Sequence, residues 1–284
     1  MKSLPTWLGI VCFIFTGCRD SLRESVAEDF GLQTRLNFTA GVSIEKSQVL
    51  FFRNLTQGDT LVCWLEIEGP KKEFDEHVFR LPAGYYQMKL IGNGEADHIF
   101  FSGVPSIENG WIEYADGTQP PDLYYAAIYL KAGEQKRGGA GMIILNSRIA
   151  LTVEKVPVEV RRIRVELKNT SAGVTLNLDI LKKATDPCIS QELENVIPGS
   201  SPVVHLRSFP SYPATDTTFL QVYGFNADND VLFEGRSVSF RLGGSEDIQI
   251  RCSFGAESQI KNFSSCFDSE EGALPCFSLR KKRN

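Results

Sequence analysis

From Arg35 onward, apolar and polar residues alternate with a period of two. Leu36, Phe38, Ala40 and Val42 fall on one side of this segment and predict a half-buried strand over 36–42. Similar runs predict strands at 61–67, 85–91, 123–130, 174–180, 218–225, 238–242 and 248–254. Turn-forming groups separate them: Gln57-Gly58-Asp59, Pro82-Ala83-Gly84, Gly92-Asn93-Gly94, Ala227-Asp228-Asn229-Asp230 and Gly243-Gly244. Long helical periodicity is missing from the sequence. Short strands at hairpin spacing predict an all-β chain built of sandwiches.

The pattern also hints at an internal repeat. Residues 49–61 read as strand, turn, strand, and so do residues 220–232. In each half a Phe-Arg-Leu comes next, at Phe79-Arg80-Leu81 and at Phe240-Arg241-Leu242, and leads into a tight turn and another strand. Two matches in the same order predict tandem copies of one sandwich. The junction falls where the alternation of Val156, Val158 and Val160 slips to Ile163, Val165 and Leu167. A slip at Arg161-Arg162 needs a bulge or a chain that changes sheets. The predicted units are therefore 35–155 and 156–284.

The first residues obey a different rule. Lys2 precedes an apolar run from Trp7 to Phe15 that is too short to span a bilayer as a helix, which takes ~20 residues. The run has the form of a secretory signal and ends in Phe15-Thr16-Gly17-Cys18. This ending resembles the lipobox of bacterial lipoproteins, with Phe15 where an aliphatic residue is usual. It implies a signal peptide over 1–17, acylation of Cys18 and a linker over 18–34. An ordinary cleaved signal with an incidental cysteine is the alternative. Stable anchoring takes more than one acyl chain, which a lipoprotein cysteine carries.

Composition narrows the rest. The chain has 284 residues, so the part beyond residue 17 suits two domains of ~100–200 residues. A net charge of −5 argues against nucleic acid as a partner. The basic run at Arg280-Lys281-Lys282-Arg283 reads as a solvated tail. Beyond Cys12 in the signal and Cys18, the cysteines are Cys63, Cys188, Cys252, Cys266 and Cys276, an odd number that excludes a complete disulfide framework. Cys63 and Cys252 read as small core residues, and Cys266 with Cys276 is the pair to weigh for a local bridge.

With the lipobox in front, three segments resemble the fimbrillin superfamily, the subunits of type V pili in Bacteroides-type bacteria. They are Ser47-Gln-Val-Leu-Phe-Phe52, Phe79-Arg-Leu-Pro-Ala-Gly-Tyr-Tyr-Gln-Met-Lys-Leu-Ile-Gly-Asn93 and Val158-Glu-Val-Arg-Arg-Ile-Arg-Val-Glu-Leu167. The resemblance covers most of residues 18–260 and lies closest to the lipoprotein anchor subunits. It implies two tandem transthyretin-like, Greek-key β-sandwiches. It also implies partners, namely other fimbrial subunits joined by strand addition and outer-membrane lipid held through Cys18. In stalk subunits of the family a protease cuts after an arginine and removes the first strand, which makes Arg23 and Arg35 the processing candidates. The tail contributes a short strand over 274–279, either docked as an edge strand or free as a donor.

Chemistry is sparse. His77, His98 and His205 lack metal-ligand spacing, no Cys-x-x-Cys or Gly-x-Ser-x-Gly occurs, and Asp228 and Asp230 lack the remainder of a calcium loop. No cofactor, metal or catalytic group is predicted. The expected function is that of a surface-exposed fimbrial anchor. The alternative is a glycan-binding surface lipoprotein of a polysaccharide uptake system, with Trp64, Trp111, Tyr124 and Tyr125 as contacts. Alternation places Trp64 opposite the Leu61/Cys63/Leu65 face and so toward solvent.

Overall fold

Alternating side chains build two β-sandwiches in sequence, as the pattern predicts. The computed structural model describes residues 30–37, 43–55, 58–69, 77–114, 118–133, 137–181, 189–212, 218–237, 239–254 and 276–281. In the first unit, β1 (Phe30–Asn37) lies between β4 (Val78–Leu81), to which it is antiparallel, and β9 (Arg137–Gly141), to which it is parallel. Against this layer stands a five-stranded antiparallel sheet. Its order is β10 (Ile143–Ile144), β8 (Tyr124–Ala132), β5 (Gly84–Gly92), β2 (Lys46–Leu55) and β3 (Gly58–Glu68). One face of that sheet, with Val49, Phe51, Met88, Leu90 and Ile128, joins Phe79 and Leu81 of β4 in the first core.

The second unit repeats the connectivity. Its first strand, β11 (Ser147–Glu154), is antiparallel to β15 (Val203–Ser208) and parallel to β18 (Asp247–Phe254). Its second, β12 (Arg162–Lys168), pairs with β14 (Ser190–Leu193) and with β16 (Phe219–Phe225), which pairs with β17 (Val231–Arg236). The same relations hold among β1, β4, β9 and among β2, β3, β5, β8. The tandem reading therefore stands, but its alignment shifts. The hairpin at 49–61 joins β2 and β3, the second and third strands of its unit, whereas the hairpin at 220–232 joins β16 and β17, the counterparts of β5 and β8. Similar turns built similar hairpins at non-equivalent places.

Pairing also moves the division between units. β11 precedes the expected junction at 155, yet its hydrogen bonds run to β15 and β18, and Ile149, Leu151 and Val153 pack in the second core. The division falls at Asn146, whose side chain accepts from Leu123 N–H (3.0 Å) and donates to Pro121 C=O (2.8 Å). The slip at Arg161-Arg162 is a crossing between layers. β11 ends before Lys155, which has φ 51°, and β12 starts only at Arg162, while Val156 and Val160 stay buried between.

A separate three-stranded sheet ties the units together. β6 (Ile99–Phe101) and β7 (Gly110–Glu113) come from the first unit, and β13 (Gly173–Thr175) comes from the second. Of the strand predicted over 174–180, only β13 and a bridge at Ile180 form. This sheet closes a mixed core in which Leu50, Phe52, Ile91, Ile112 and Tyr125 meet Val174, Leu176 and Phe209. The approach is close. A Cβ at Gly173 would lie 1.8 Å from the Ile112 carbonyl oxygen, so only glycine fits. Tyr125 Oη donates to the Leu176 carbonyl at 2.5 Å. Asp122 receives Arg148 Nη2 (2.9 Å) and Arg207 Nε (2.8 Å) from across the seam.

Candidate functional site

The terminal strands are the features on which the strand addition implied by the fimbrillin resemblance depends. The predicted first strand at 36–42 lies earlier, as β1 over Phe30–Asn37, and residues 38–42 are outside the described residues. The linker predicted over 18–34 therefore ends in sheet. Arg35 stands within the ladder, paired with Gly139, rather than at a border. Cys18 and Arg23 lie outside the described residues.

At the other end, β19 (Cys276–Lys281) is not an edge strand. It lies between β17, to which it is antiparallel, and β18, to which it is parallel. It thereby joins the two layers of the second sandwich into one eight-stranded sheet. Arg280 and Lys281 pair with Glu234 and Phe233, so half of the basic run is strand and not solvated tail. Cys188 and Cys266 lie outside the described residues, as does any bridge between Cys266 and Cys276. Cys252 is fully buried, and burial raises its thiol pKa. Of 238–242, only Phe240 pairs, with Thr218.

The aromatic residues of the alternative reading do not form a platform. Tyr124 and Tyr125 are each 3% exposed, on opposite faces of β8, and Tyr125 lies beneath the seam. Burial holds the Tyr125 phenol well above its usual range. Trp64 is half-buried; its Nε1 donates to Gln48 Oε1 at 2.8 Å and its indole meets the Phe101 ring edge-on at 6.1 Å. Trp64 does lie opposite Cys63 and Leu65, but the seam covers that face, so the expectation of exposure fails; a bulge moves Leu61 onto it as well. Phe51 faces Cys63 but Phe52 faces Leu61, so Val62 is extra and the alternation shifts phase there. Leu61 and Trp64 then share the seam face, and Cys63 and Leu65 the opposite one. Trp111 is half-buried too, stacked on Phe100 at 5.8 Å and donating to Glu113 Oε2 at 2.8 Å.

Two groupings have no signature in the spacing of the sequence. Glu95, Asp97 and His98 bring one ligand atom each to within 4.8 Å of one another. Lys46 already pairs with Glu95 at 3.3 Å, and His98 Nδ1 lies 3.2 Å from the Glu113 carbonyl while its ring stacks on Tyr114. The other is Lys89, 3% exposed on β5. Desolvation lowers its ammonium pKa to about 8, against a smaller opposing effect of Asp59. Its place between Met88 and Leu90 inside a strand is the one sequence signal that could have found it.

No protein-family model and no curated protein matches the chain. Solved structures from Bacteroides do share its fold. A candidate polysaccharide-binding protein from Bacteroides thetaiotaomicron superposes with a TM-score of 0.56 at 11% identity, over 80% of this chain and 92% of that one. A candidate adhesin from the same organism gives 0.53 at 12% identity, over 74% and 81%. The fimbrial anchor protein Mfa2 from Porphyromonas gingivalis gives 0.47 at 14% identity, over 78% and 90%, below the level from which a shared fold is argued. The likeness is one of fold, and it is the tandem sandwich that the fimbrillin resemblance implied.

Proposed function

We propose that the chain is a lipid-anchored structural subunit of a cell-surface fimbria, and that it is the anchor from which assembly starts. The lipobox cysteine Cys18 would hold it in the outer membrane, exposed at the cell surface. Other fimbrial subunits would join it by strand addition. The role is mechanical and needs no reacting groups.

The observation that carries this reading is the place of β1. The segment downstream of the lipobox supplies an interior strand, held by β4 on one side and β9 on the other. Withdrawing such a strand opens two backbone edges, and an extended segment of another subunit satisfies them. The two arginines then differ in consequence. Scission after Arg23 would release the lipid and leave β1 whole. Scission after Arg35 would cut the ladder two residues before its end at Asn37. An anchor requires neither.

The test is mass spectrometry of the N-terminus of assembled material, with fractionation of Cys18→Ala. An acylated Cys18 in the fibre and release of the variant from membranes are expected. A mature chain starting at Glu24 or Leu36 in the fibre refutes the anchor role. Continued membrane association of Cys18→Ala refutes the lipid tether.

A further inference from the structure

Glu95, Asp97 and His98 stand at the single turn between β5 and β6. Each offers one ligand atom, and the three atoms lie within 4.8 Å of one another. An ion set among atoms so spaced lies within about 2.8 Å of each, against about 2.0–2.2 Å in a zinc site. Glu95 and Asp97 are exposed, so their carboxylates have room to turn inward and close that gap.

His98 is already oriented as a ligand. Its Nδ1 lies 3.2 Å from the Glu113 carbonyl, an acceptor that only an N–H satisfies. The neutral ring therefore carries its proton on Nδ1 and its lone pair on Nε2. Nε2 is the nitrogen that faces Glu95, 3.9 Å from Oε2. Lys46 engages the other oxygen, Oε1, at 3.3 Å and leaves Oε2 to an ion. That pair is open to solvent at both ends and holds Glu95 only loosely.

A second observation is independent of the three ligand atoms. Tyr114 is 6% exposed, and its hydroxyl is buried with no hydrogen-bond partner among the described residues. Its ring lies flat on the His98 imidazole, with centroids 3.9 Å apart and planes at 15°. Burial first, and then the charges of Glu95 and Asp97, hold the phenol above its usual range, so the field of both carboxylates reaches it. A buried donor left unmet is costly. Carboxylates that turn inward onto an ion bring it an acceptor, the outer-shell bond that metal ligands ordinarily carry.

We propose that Glu95, Asp97 and His98 bind a divalent transition-metal ion of the zinc class, with Tyr114 as outer-shell donor. Two carboxylates and an imidazole suit such an ion better than calcium or magnesium, which take oxygen ligands throughout. Two carboxylates against one lysine also leave the site net negative. The bound ion acts as a staple at the seam. His98 is tied through the Glu113 carbonyl to β7, which pairs with β13 of the second unit. Tyr114 N–H donates to the Ala172 carbonyl, also of the second unit. The site does not depend on the fimbrial reading, since metal binding and fibre assembly involve different strands.

The test is titration calorimetry of the full chain with zinc chloride, with calcium chloride as control, together with melting curves in zinc and in EDTA. Zinc should bind more tightly than calcium and raise the melting temperature, and EDTA should reverse the rise. Asp97→Asn and His98→Gln should each abolish that rise. Tyr114→Phe should weaken zinc binding about ten-fold, yet melt no lower than the native chain in EDTA, a split that a merely structural role would not give. Lys46→Met should strengthen binding about three-fold by removing a competing cation. Asp97 is exposed, so Asp97→Asn keeps the native melting temperature in EDTA and separates lost binding from lost folding. Absence of zinc binding overturns the proposal. So does zinc held equally by the native chain, Asp97→Asn and His98→Gln, which puts the ion on other groups such as thiols. Calcium bound as tightly as zinc, with His98→Gln silent, overturns it too.

Discussion

Gly110 and Leu176 offer a direct measure of how firmly the two sandwiches are joined. Gly110 opens β7 in the first unit; Leu176 lies just past β13 in the second and is fully buried. A Cβ at Gly110 would lie 2.6 Å from Leu176 Cδ1 and 2.6 Å from Phe101 Cε1. Both distances lie inside van der Waals contact, and Leu176 has little room to move. Overpacking of this kind costs about 2 kcal/mol. Leu176→Ala removes three carbons, worth about 2.4 kcal/mol in transfer alone, and the cavity brings the loss to about 3 kcal/mol. In the double variant one of the two clashes is gone. Gly110→Ala should then cost about 1 kcal/mol less than in the native background. Urea unfolding of the four proteins gives the coupling, provided the m-values agree. Equal cost of Gly110→Ala in both backgrounds would refute the packing of the seam across units.

Two further outcomes rest on charge. Lys89 has a folded pKa of about 8 against ~10.4 in the unfolded chain, so the unfolded state binds the extra proton between these values. Stability should therefore rise with pH through that window, and Lys89→Met should stabilise the chain at pH 7 by on the order of 1–2 kcal/mol, with the gain shrinking above pH 8; urea midpoints at pH 6.5, 8 and 10 check this, and a lower midpoint for the variant at pH 7 contradicts it. Asp122→Asn removes the negative charge shared by Arg148 and Arg207, whose side chains are 43% and 44% exposed, so solvent limits the loss to about 1 kcal/mol. That loss should fade in 1 M salt, and a loss independent of salt would assign it to hydrogen-bond geometry rather than charge.

Strands whose two faces meet different environments were legible in the sequence. β5, β8, β16 and β18 lie within two residues of their predicted spans because alternation reports such a division directly. What failed depended on partners far along the chain. The burial of Tyr125 is imposed by β13 and Phe209 from the other unit, which no local period encodes. Trp64 lies on the face that alternation gives it, but the seam covers that face, and the extra residue Val62 brings Leu61 onto it too. Residues 147–154 fall in the first unit when the junction is read from the phase slip at Arg161-Arg162, although the hydrogen bonds of β11 lie with the second. The proposed assembly site was half legible: the lipobox-like ending predicts an N-terminal tether, but the interior positions of β1 and β19 are facts of pairing.

The direction of β1 has a mechanical consequence. A pull on the chain ahead of Phe30 acts along the strand axis, while the resisting bonds to β4 and β9 lie across it. The ladders are then loaded in shear, many bonds at once, rather than peeled open one pair at a time. Behind β9 stands the first core, and behind that the seam, so strain entering at one end spreads through both sandwiches before any strand slips. A chain held this way bears tension best in the direction in which its own N-terminus leaves the fold.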